Sequence, residues 1–222
     1  MIKKILITPY FGPFPEWMDL WLADFNRTMR PQGYDLLLDT DLPSFKERVK
    51  EKLGIQCPIE RGSPKVWDYR CALGLLYEEE IKGYDFWGHV DYDMVFGDAN
   101  KFLPDSMLSE LEVYSGHNEY VCGCFSLYRN THVVNSLFQT SAGWKAHMMV
   151  LEPSGWVEQG FSRTLEQSRL RYKYDFPQGF PYTESTTIKK EEGSLFQKIG
   201  WNWVEISFFH FRRSKHKGYP SL

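Results

Sequence analysis

Two aspartates stand two residues apart, directly after an apolar stretch of the chain. Asp91 and Asp93 follow residues 85–90, which read as a buried strand, and only Tyr92 separates them. In an extended segment, residues two apart project to the same side, so these carboxylates repel each other when both are ionised. A hard divalent cation relieves this repulsion, and its open coordination positions suit a diphosphate. The pair therefore predicts a Mn²⁺ or Mg²⁺ site with Asp91 and Asp93 as ligands.

An Asp-x-Asp triplet by itself is a weak signal. The alternative interpretation is a solvated turn whose aspartates cap a helix. The surroundings favour the metal site, because the triplet ends an apolar strand after two earlier strand–helix units and has Gly88 and Gly97 on either side. In open α/β sheets, the carboxyl ends of the strands form the edge at which ligands bind.

Strands and helices alternate over the first 98 residues. Hydrophobic periodicity and end signals predict strands at residues 5–8, 34–38 and 85–90, and helices at residues 16–27, 43–52 and 66–81. Beyond residue 98 the pattern is less regular, with strands predicted at 111–115, 120–128 and 203–211 and helices at 131–150 and 156–166. This order indicates an α/β fold with a Rossmann-like, mixed and mostly parallel sheet flanked by helices. No repeat or linker divides the chain, so we expect a single domain.

Composition narrows the function classes. The chain has 222 residues, enough for one well-buried α/β domain. Its net charge of −3, from 26 basic and 29 acidic residues, does not favour a general nucleic-acid binder, although residues 212–217 are locally basic. Aromatic residues make up 17% of the chain. Some of these rings are expected to line a groove, where flat rings suit nucleobases and sugar faces, and others to fill the core.

The cysteines and the first residues bear on location. The four cysteines, at positions 57, 71, 122 and 124, could pair, but no secretion signal precedes them. Cys122 and Cys124 have one residue between them, which is closer than zinc ligands usually stand. The apolar run at residues 5–7 is too short for an export signal, and no run has the length of a membrane span. We therefore predict buried thiols in a cytoplasmic protein without a transmembrane segment, with peripheral attachment to the inner membrane as a further possibility.

The acidic segment also resembles a known group of proteins. Residues 86–98 read Phe-Trp-Gly-His-Val-Asp-Tyr-Asp-Met-Val-Phe-Gly-Asp, a WGHxDxDxxFGD-type pattern similar to that of little-studied bacterial glycosyltransferase-like proteins. Residues 9–15 and 123–130 resemble the opening and middle segments of the same group, so the resemblance covers most of the chain. It implies a GT-A fold, a nucleotide-sugar donor and Mn²⁺ or Mg²⁺ at the Asp-x-Asp turn. It implies no particular sugar.

A more distant resemblance to retaining GT-A transferases implies residues that hold the donor sugar. In those enzymes, a motif one helix before the acidic turn supplies an acidic and a basic residue. Asp68 and Arg70 stand at that place here and are the implied donor-sugar residues, with Lys65 as a further candidate. The alternative is a charged first helical turn, in which Asp68 would interact favourably with the helix dipole.

The same resemblance extends to two later segments. It implies His210 as a third metal ligand and Lys215 as a contact to the diphosphate, although the usual Gly and Pro-Trp spacing is absent and an unstructured basic tail is the alternative. Glu158 stands where related proteins carry an acidic pair, of which only this acid is present. Glu158 is therefore a candidate to deprotonate or orient an acceptor hydroxyl, with a surface helix glutamate as the alternative.

Two residues at strand ends complete the expected site. Tyr10 and Asp39 follow or end the first two predicted strands. At the carboxyl edge of the sheet, the ring of Tyr10 could stack on a nucleobase, and the carboxylate of Asp39 could bond a ribose hydroxyl.

These features predict a metal-dependent glycosyltransferase that moves a sugar from a nucleotide-sugar donor, with a UDP-sugar favoured, to a hydroxyl of a bacterial surface glycan or lipid-linked glycan. Residues 1–98 would bind the donor and residues 99–222 the acceptor. The alternatives are a phage-type glycosyltransferase acting on modified DNA and a non-catalytic nucleotide- or sugar-binding protein. A nucleotidyltransferase is disfavoured, because residues 9–13 are not a Gly-rich phosphate loop.

Overall fold

The computed structural model describes residues 2–121, 123–175, 188–199, 202–206 and 208–210. The strands in this part of the chain are β1 (Lys4–Pro9), β2 (Tyr34–Asp39), β3 (Phe86–Val90), β4 (Met94–Phe96), β5 (Val113–Ser115), β6 (Phe125–Arg129), β7 (Tyr172–Tyr174), β8 (Ile188–Glu191), β9 (Ser194–Ile199), β10 (Asn202–Ile206) and β11 (Phe208–His210).

The helical segments are mostly short. The α-helices are α1 (Met18–Thr28), α2 (Leu42–Leu53), α3 (Leu73–Leu76), α4 (Ala99–Phe102), α5 (Asp105–Ser109), α6 (His132–Ser136), α7 (Trp144–Met149) and α8 (Ser162–Gln167). Three 3₁₀ segments cover Arg30–Gln32, Pro64–Ala72 and Leu137–Thr140, and a π-helical turn covers Val157–Phe161.

The main sheet has six strands in the order β2-β1-β3-β6-β5-β7. The pairs β1–β2, β1–β3 and β5–β7 are parallel, whereas β6 is antiparallel to both β3 and β5. Five strands therefore share one direction and β6 alone is reversed. This arrangement confirms the predicted α/β class, with a mixed, mostly parallel sheet of the kind expected for a GT-A-like fold.

Helices cover both faces of this sheet, because its strands alternate apolar side chains between the faces. Ile5 and Ile7 of β1 pack with α2, α3, α7 and α8 on one face, whereas Leu6 packs with α1 and α5 on the other. Trp87 and Phe86 of β3 divide between the same two clusters. Parallel strands buried on both faces read as continuous apolar runs, which explains why their positions were predictable.

Two smaller sheets lie beside the acidic turn. Strands β8, β9 and β10 form an antiparallel sheet, and β11 pairs with β4, which begins immediately after Asp93. Val95 of β4, Leu195 and Ile206 form a separate buried cluster there. The strand predicted at residues 203–211 is therefore observed as β10 and β11, while β4, β7, β8 and β9 were not predicted.

Residues 66–81 do not form the single helix predicted for them. The chain is a 3₁₀ helix from Pro64 to Ala72, then α3, and then turns from Tyr77 onward. In a 3₁₀ helix, side chains at i and i+3 eclipse each other, and here Lys65 Nζ lies 2.7 Å from Asp68 Oδ2 in a buried ion pair. The apolar spacing of the sequence does not distinguish this tighter winding from an α-helix.

Two other predicted elements are shorter than expected. The helix predicted at residues 131–150 is divided into α6, a 3₁₀ turn and α7. The strand predicted from residue 120 begins only at Phe125, since the described residues between Gly116 and Val121 form bends. In both places the apolar side chains reach the core from several short elements, whereas the sequence pattern predicts one long element.

Two further expectations concern the thiols and the membrane. Cys124 is buried, as predicted, whereas Cys122 lies outside the described residues. Cys71 is a buried free thiol and Cys57 a half-buried one. Burial raises the pKa of the Cys71 thiol well above its ordinary value. Within the part of the chain that the structure describes, no helix is long and apolar enough to cross a membrane.

A buried carboxylate joins the small sheets to the main body. Asp24 of α1 is 3% exposed, and it accepts hydrogen bonds from Phe96 N–H at 3.0 Å, Lys190 Nζ at 2.6 Å and Thr28 Oγ1 at 3.2 Å. Burial by itself would raise the pKa of Asp24, but Lys190, the Phe96 N–H and Arg27 outweigh it and hold the pKa below its ordinary value. Asp24 thus ties α1 to β4 and to β8.

Asp24 is expected to contribute to stability in its ionised form. Because its pKa is lower in the folded state, this contribution is present above the unfolded value of 3.8 and is lost as the pH falls through the folded value. Asp24→Asn should lower the free energy of unfolding at neutral pH by about 3 kcal/mol, since it leaves Lys190 buried without its counter-charge. The variant should also lose part of the acid dependence below pH 3.8.

Urea unfolding at a series of pH values measures both effects. Asp35→Asn is the matched control, because Asp35 pairs with Arg30 at the surface, where both side chains are about half exposed. A control as destabilised as Asp24→Asn would contradict the role given to the buried carboxylate.

Candidate functional site

The acidic turn is fixed from both sides at the end of β3. Thr8 Oγ1, near the end of β1, donates a hydrogen bond to the carbonyl of Val90 at 3.0 Å. Asp91 N–H donates to the carbonyl of Cys124, just before β6, at 3.0 Å. The backbone that carries the two aspartates is therefore bonded to the neighbouring strand on each side.

A glycine allows β3 and β6 to approach closely below this turn. A β-carbon on Gly88 would lie 2.3 Å from the carbonyl oxygen of Ser126 in β6. Only glycine fits such an approach of two backbones without a shift. Gly88 thus has a structural role in placing the turn.

A cleft of about 880 Å³ opens above the turn. Its wall includes both aspartates, several aromatic rings and residues from five separate segments of the chain. The lining residues are Pro9, Tyr10, Phe11, Gly12, Pro13, Gly62, Ser63, Pro64, Val66, Trp67, Arg70, Asp91, Tyr92, Asp93, His117, Tyr120, Gly123, Cys124 and Glu158.

The order of strands in the sheet sets the order of these groups along the cleft. Tyr10 follows β1, Asp91 follows β3, Gly123 precedes the reversed strand β6, and His117 follows β5. Neighbouring strands lie about 4.8 Å apart, so the edge from β1 to β5 spans roughly 14 Å. That length can hold a ligand made of several linked rings or groups.

Arg70 brings the 3₁₀ segment to the acidic turn. Its Nη2 forms an ion pair with Asp91 Oδ1, and the two side chains are 14% and 20% exposed. The guanidinium carbon also lies 5.6 Å from the centroid of the Trp67 ring, within the range of a cation–π contact. Arg70 was one of the predicted donor residues, and the structure places it in the cleft beside the predicted metal ligands.

Glu158 approaches the same point from the other half of the chain. A β-carbon on Gly123 would lie 3.0 Å from Glu158 Oε1 and 2.6 Å from Arg70 Nη1, so the missing side chain of Gly123 leaves space for both groups. Glu158 is on the π-helical turn, a widened helical turn that is frequent at functional sites. The structure therefore brings Glu158, Arg70 and Asp91 together, and the roles given to them stay predictions.

Lys65 and Asp68 do not reach the cleft, although they were predicted to hold the donor. Lys65 is 0% and Asp68 2% exposed. Lys65 Nζ donates to the carbonyls of His147 at 2.5 Å and Glu152 at 3.1 Å, and Asp68 Oδ2 accepts from Ser154 N–H at 2.8 Å. The pair is thus a buried anchor for the segment that leads from α7 to the π-helical turn.

The two strand-end residues differ in their positions. Tyr10 lines the cleft and packs edge-on against Tyr92, with ring centroids 4.8 Å apart. Asp39 is not among the lining residues; its carboxylate accepts hydrogen bonds from Tyr77 Oη and from Asp41 N–H at 2.9 Å. Burial and the neighbouring Asp39 raise the pKa of Tyr77, so its hydroxyl stays a donor. Asp39 therefore fixes a loop in the described structure.

His210 and Lys215 are described only in part or not at all. In β11, the backbone of His210 is opposite Met94, which directly follows Asp93. The β11–β4 register thus places its main chain next to the acidic turn, whereas its side chain lies outside the described residues, as do Lys215 and the basic segment 212–217. Their roles at the metal and the diphosphate stay predictions.

The carboxylates of Asp91 and Asp93 fit a hard cation that is also bound by oxygen atoms of a substrate. Among the residues that the structure describes, no group of three or more His, Cys, Asp or Glu side chains could hold a metal alone. Mg²⁺ in particular is commonly held by one or two carboxylates together with substrate phosphates. Asp91 and Asp93, in an open cleft, fit a site in which the substrate phosphates supply the remaining ligands.

Several cleft residues escaped sequence reasoning. Trp67 is 46% exposed at the rim, and His117 stacks on Tyr120 with ring centroids 3.7 Å apart. The pair follows β5 in an irregular segment, where no periodicity marks a functional residue. The high aromatic content of the sequence was the available signal, but it does not identify which rings line the cleft.

Fold and cleft together define an α/β protein with an acidic site at the carboxyl ends of its parallel strands. The chain belongs to a family of unknown function (DUF6625), whose model matches residues 36–171, more than half of its length. The matched part includes Arg70, Asp91, Asp93 and Glu158. The bacterial origin and the motif implied by the resemblance stay predictions.

No curated protein matches the sequence. One solved structure with some likeness is described as the crystal structure of a glycosyltransferase involved in the glycosylation of the major capsid of PBCV-1. It is 12% identical, the match covers 78% of this chain and 83% of that one, and the TM-score is 0.47.

The anchor role of Lys65 can be tested by its effect on stability. Lys65→Met leaves Asp68 buried without its counter-charge, so it should lower the free energy of unfolding by about 3–5 kcal/mol. The double variant Lys65→Met/Asp68→Leu should recover part of this loss, because neither charge is then left buried alone. Urea unfolding followed by circular dichroism gives both values.

The matched control is Lys50→Met. Lys50 forms an ion pair with Glu47 at the same i,i+3 spacing, but both side chains are 57% exposed. Its loss should cost about 0.5 kcal/mol or less. Equal effects of Lys50→Met and Lys65→Met would mean that the buried pair is not an anchor.

Proposed function

We propose that this protein is a metal-dependent glycosyltransferase that moves a sugar from a nucleotide sugar to an acceptor hydroxyl. The observation that carries the proposal is the convergence of Asp91, Asp93, Arg70 and Glu158 on one cleft at the carboxyl edge of the sheet. Two acids and a guanidinium beside an open space suit a diphosphate with its cation, and a further acid suits a hydroxyl nucleophile.

The order of side chains along the sheet edge suits the order of the nucleobase and the diphosphate in a nucleotide sugar. Tyr10 and Tyr92 offer aromatic rings at the β1 end for a nucleobase. Asp91 and Asp93, at the end of β3, would hold Mn²⁺ or Mg²⁺ against the diphosphate. When bound, this cation would neutralise charge that develops on the leaving nucleoside diphosphate. A UDP-sugar is the favoured donor, and residues 1–98 form the proposed donor half.

The acceptor is proposed to enter from the β6–β5 side. Glu158 is exposed in the cleft beside Gly123, and would accept the proton of the attacking hydroxyl or orient that hydroxyl. The guanidinium of Arg70, between Asp91 and the Glu158 carboxylate, would position the groups of the donor next to the acceptor. Residues 99–222 accordingly form the proposed acceptor half.

Charge in the cleft favours a neutral acceptor. Among the described lining residues, Asp91, Asp93 and Glu158 are acidic and Arg70 is the one basic residue. Once a cation and a diphosphate occupy the aspartates, Glu158 still disfavours an anionic chain. A hydroxyl of a bacterial surface glycan or lipid-linked glycan, reached in the cytoplasm, is therefore proposed in preference to modified DNA.

Binding of a nucleoside diphosphate should depend on the metal. In calorimetry, UDP is expected to bind at least about tenfold more tightly with Mn²⁺ than with EDTA, a difference of about 1.4 kcal/mol. Asp93→Asn should abolish this difference and nearly all sugar transfer while leaving the thermal unfolding midpoint near that of the wild type, because it removes one charged ligand from a polar, open site.

Asp98→Asn is the matched control, because Asp98 lies in the same segment but caps α4 through a hydrogen bond from Lys101 N–H at 3.1 Å. It should keep the metal dependence. Testing GDP, CDP and ADP beside UDP guards against a wrong choice of base. Equal affinities with Mn²⁺ and EDTA for all four nucleotides would remove the metal from the proposed site.

A further inference from the structure

The carboxylate of Asp91 already has a cationic partner in the protein. Arg70 Nη2 bonds to Asp91 Oδ1, and both side chains are mostly buried at the bottom of the cleft. An incoming divalent cation would need the same carboxylate. Metal binding and the Arg70–Asp91 ion pair therefore compete, and a free dication approaching Asp91 also meets the positive charge of the guanidinium.

The Arg70 guanidinium could also bind phosphate oxygens of a ligand in the cleft. It carries five N–H donors in a planar fork, a shape that matches phosphate oxygens in a bidentate way. Its Nη1 lies on the Gly123 side of the cleft, near Glu158 Oε1, and a β-carbon at position 123 would close that space. The Trp67 ring lies 5.6 Å from the guanidinium carbon, so a small rotation keeps that contact.

A diphosphate changes the balance between these contacts. It brings negative charge to the guanidinium and oxygen ligands to the cation at the same time. Arg70 then gains phosphate oxygens in exchange for Asp91, and Asp91 becomes available to the cation. A cation without a diphosphate gains no such exchange, because Arg70 would lose its ion pair and obtain only the nearby Glu158 carboxylate.

We propose that Arg70 makes the site selective for a divalent cation that arrives together with a diphosphate, and disfavours the free cation. This inference rests on the proposed function. Arg70 holds the Asp91 carboxylate until the diphosphate draws the guanidinium away. The ligand of the site is thus the cation–diphosphate complex, and binding of each part strengthens binding of the other.

The test measures Mn²⁺ binding by electron paramagnetic resonance, with and without inorganic pyrophosphate, which needs no knowledge of the nucleobase or sugar. Wild-type protein should bind Mn²⁺ weakly alone and more tightly with pyrophosphate. Arg70→Met should bind Mn²⁺ alone roughly fivefold more tightly than the wild type, the scale expected for removing a competing, partly exposed ion pair. The enhancement by pyrophosphate should shrink in the same variant.

Two further variants separate this role from simple damage. Arg70→Lys retains a positive charge near Asp91 and should restore weak binding of free Mn²⁺, but its single ammonium should not restore the full enhancement by pyrophosphate. Arg30→Met is the matched control, since Arg30 pairs with Asp35 at the surface, and it should behave like the wild type. Misfolding of Arg70→Met would weaken Mn²⁺ binding, which is the opposite of the expected gain.

The outcomes distinguish this inference from the proposed function. If pyrophosphate strengthens Mn²⁺ binding equally in wild type and Arg70→Met, and free Mn²⁺ binds both alike, the metal site stands and the role of Arg70 is overturned. If neither protein binds Mn²⁺ under any condition, both the metal site and this inference fail. Tighter binding of free Mn²⁺ to Arg70→Met supports the inference.

Discussion

The position of β3 between β1 and β6 is the constraint on which the site depends. Val90 and Asp91 are bonded to Thr8 on one side and to Cys124 on the other, at the point where the strand ends. Gly88 permits the close approach that this requires. Because β6 is antiparallel to β3, β6 begins where β3 ends. The segment that leads into β6 therefore lies beside the acidic turn, and residues from the two halves of the chain meet there.

Sequence reasoning located the parts of the site that depend on strand ends. Asp91, Asp93 and Tyr10 follow buried apolar runs, so the sheet edge predicted their shared location, and Arg70 and Glu158 are in the same cleft. The prediction of an α/β class with a mostly parallel sheet is confirmed. It was possible because strands buried on both faces are continuous apolar runs in the sequence.

The parts that could not be predicted depend on contacts between distant residues. Lys65 and Asp68 have the residue types of a ligand-binding motif, yet their partners are main-chain groups of residues 147–154, and nothing local in the sequence reveals those bonds. Asp39 likewise satisfies the hydroxyl of Tyr77. The stacked pair of His117 and Tyr120 lies in bends, where neither periodicity nor a turn signal applies. A charged residue near an expected site therefore needs its burial known before its role can be assigned.

The pairing of β4 with β11 has a consequence for how the protein acquires its shape during synthesis. Met94 is opposite His210, so the strand that leaves the acidic turn finds this neighbour only after a further 116 residues have been translated. Contacts between residues so far apart in sequence form late, because closing a long loop costs entropy before the contact repays it. A nascent chain that already contains Asp91 and Asp93 consequently has one side of its turn uncovered. Translation itself thus delays completion of the cleft until the small sheets have been made.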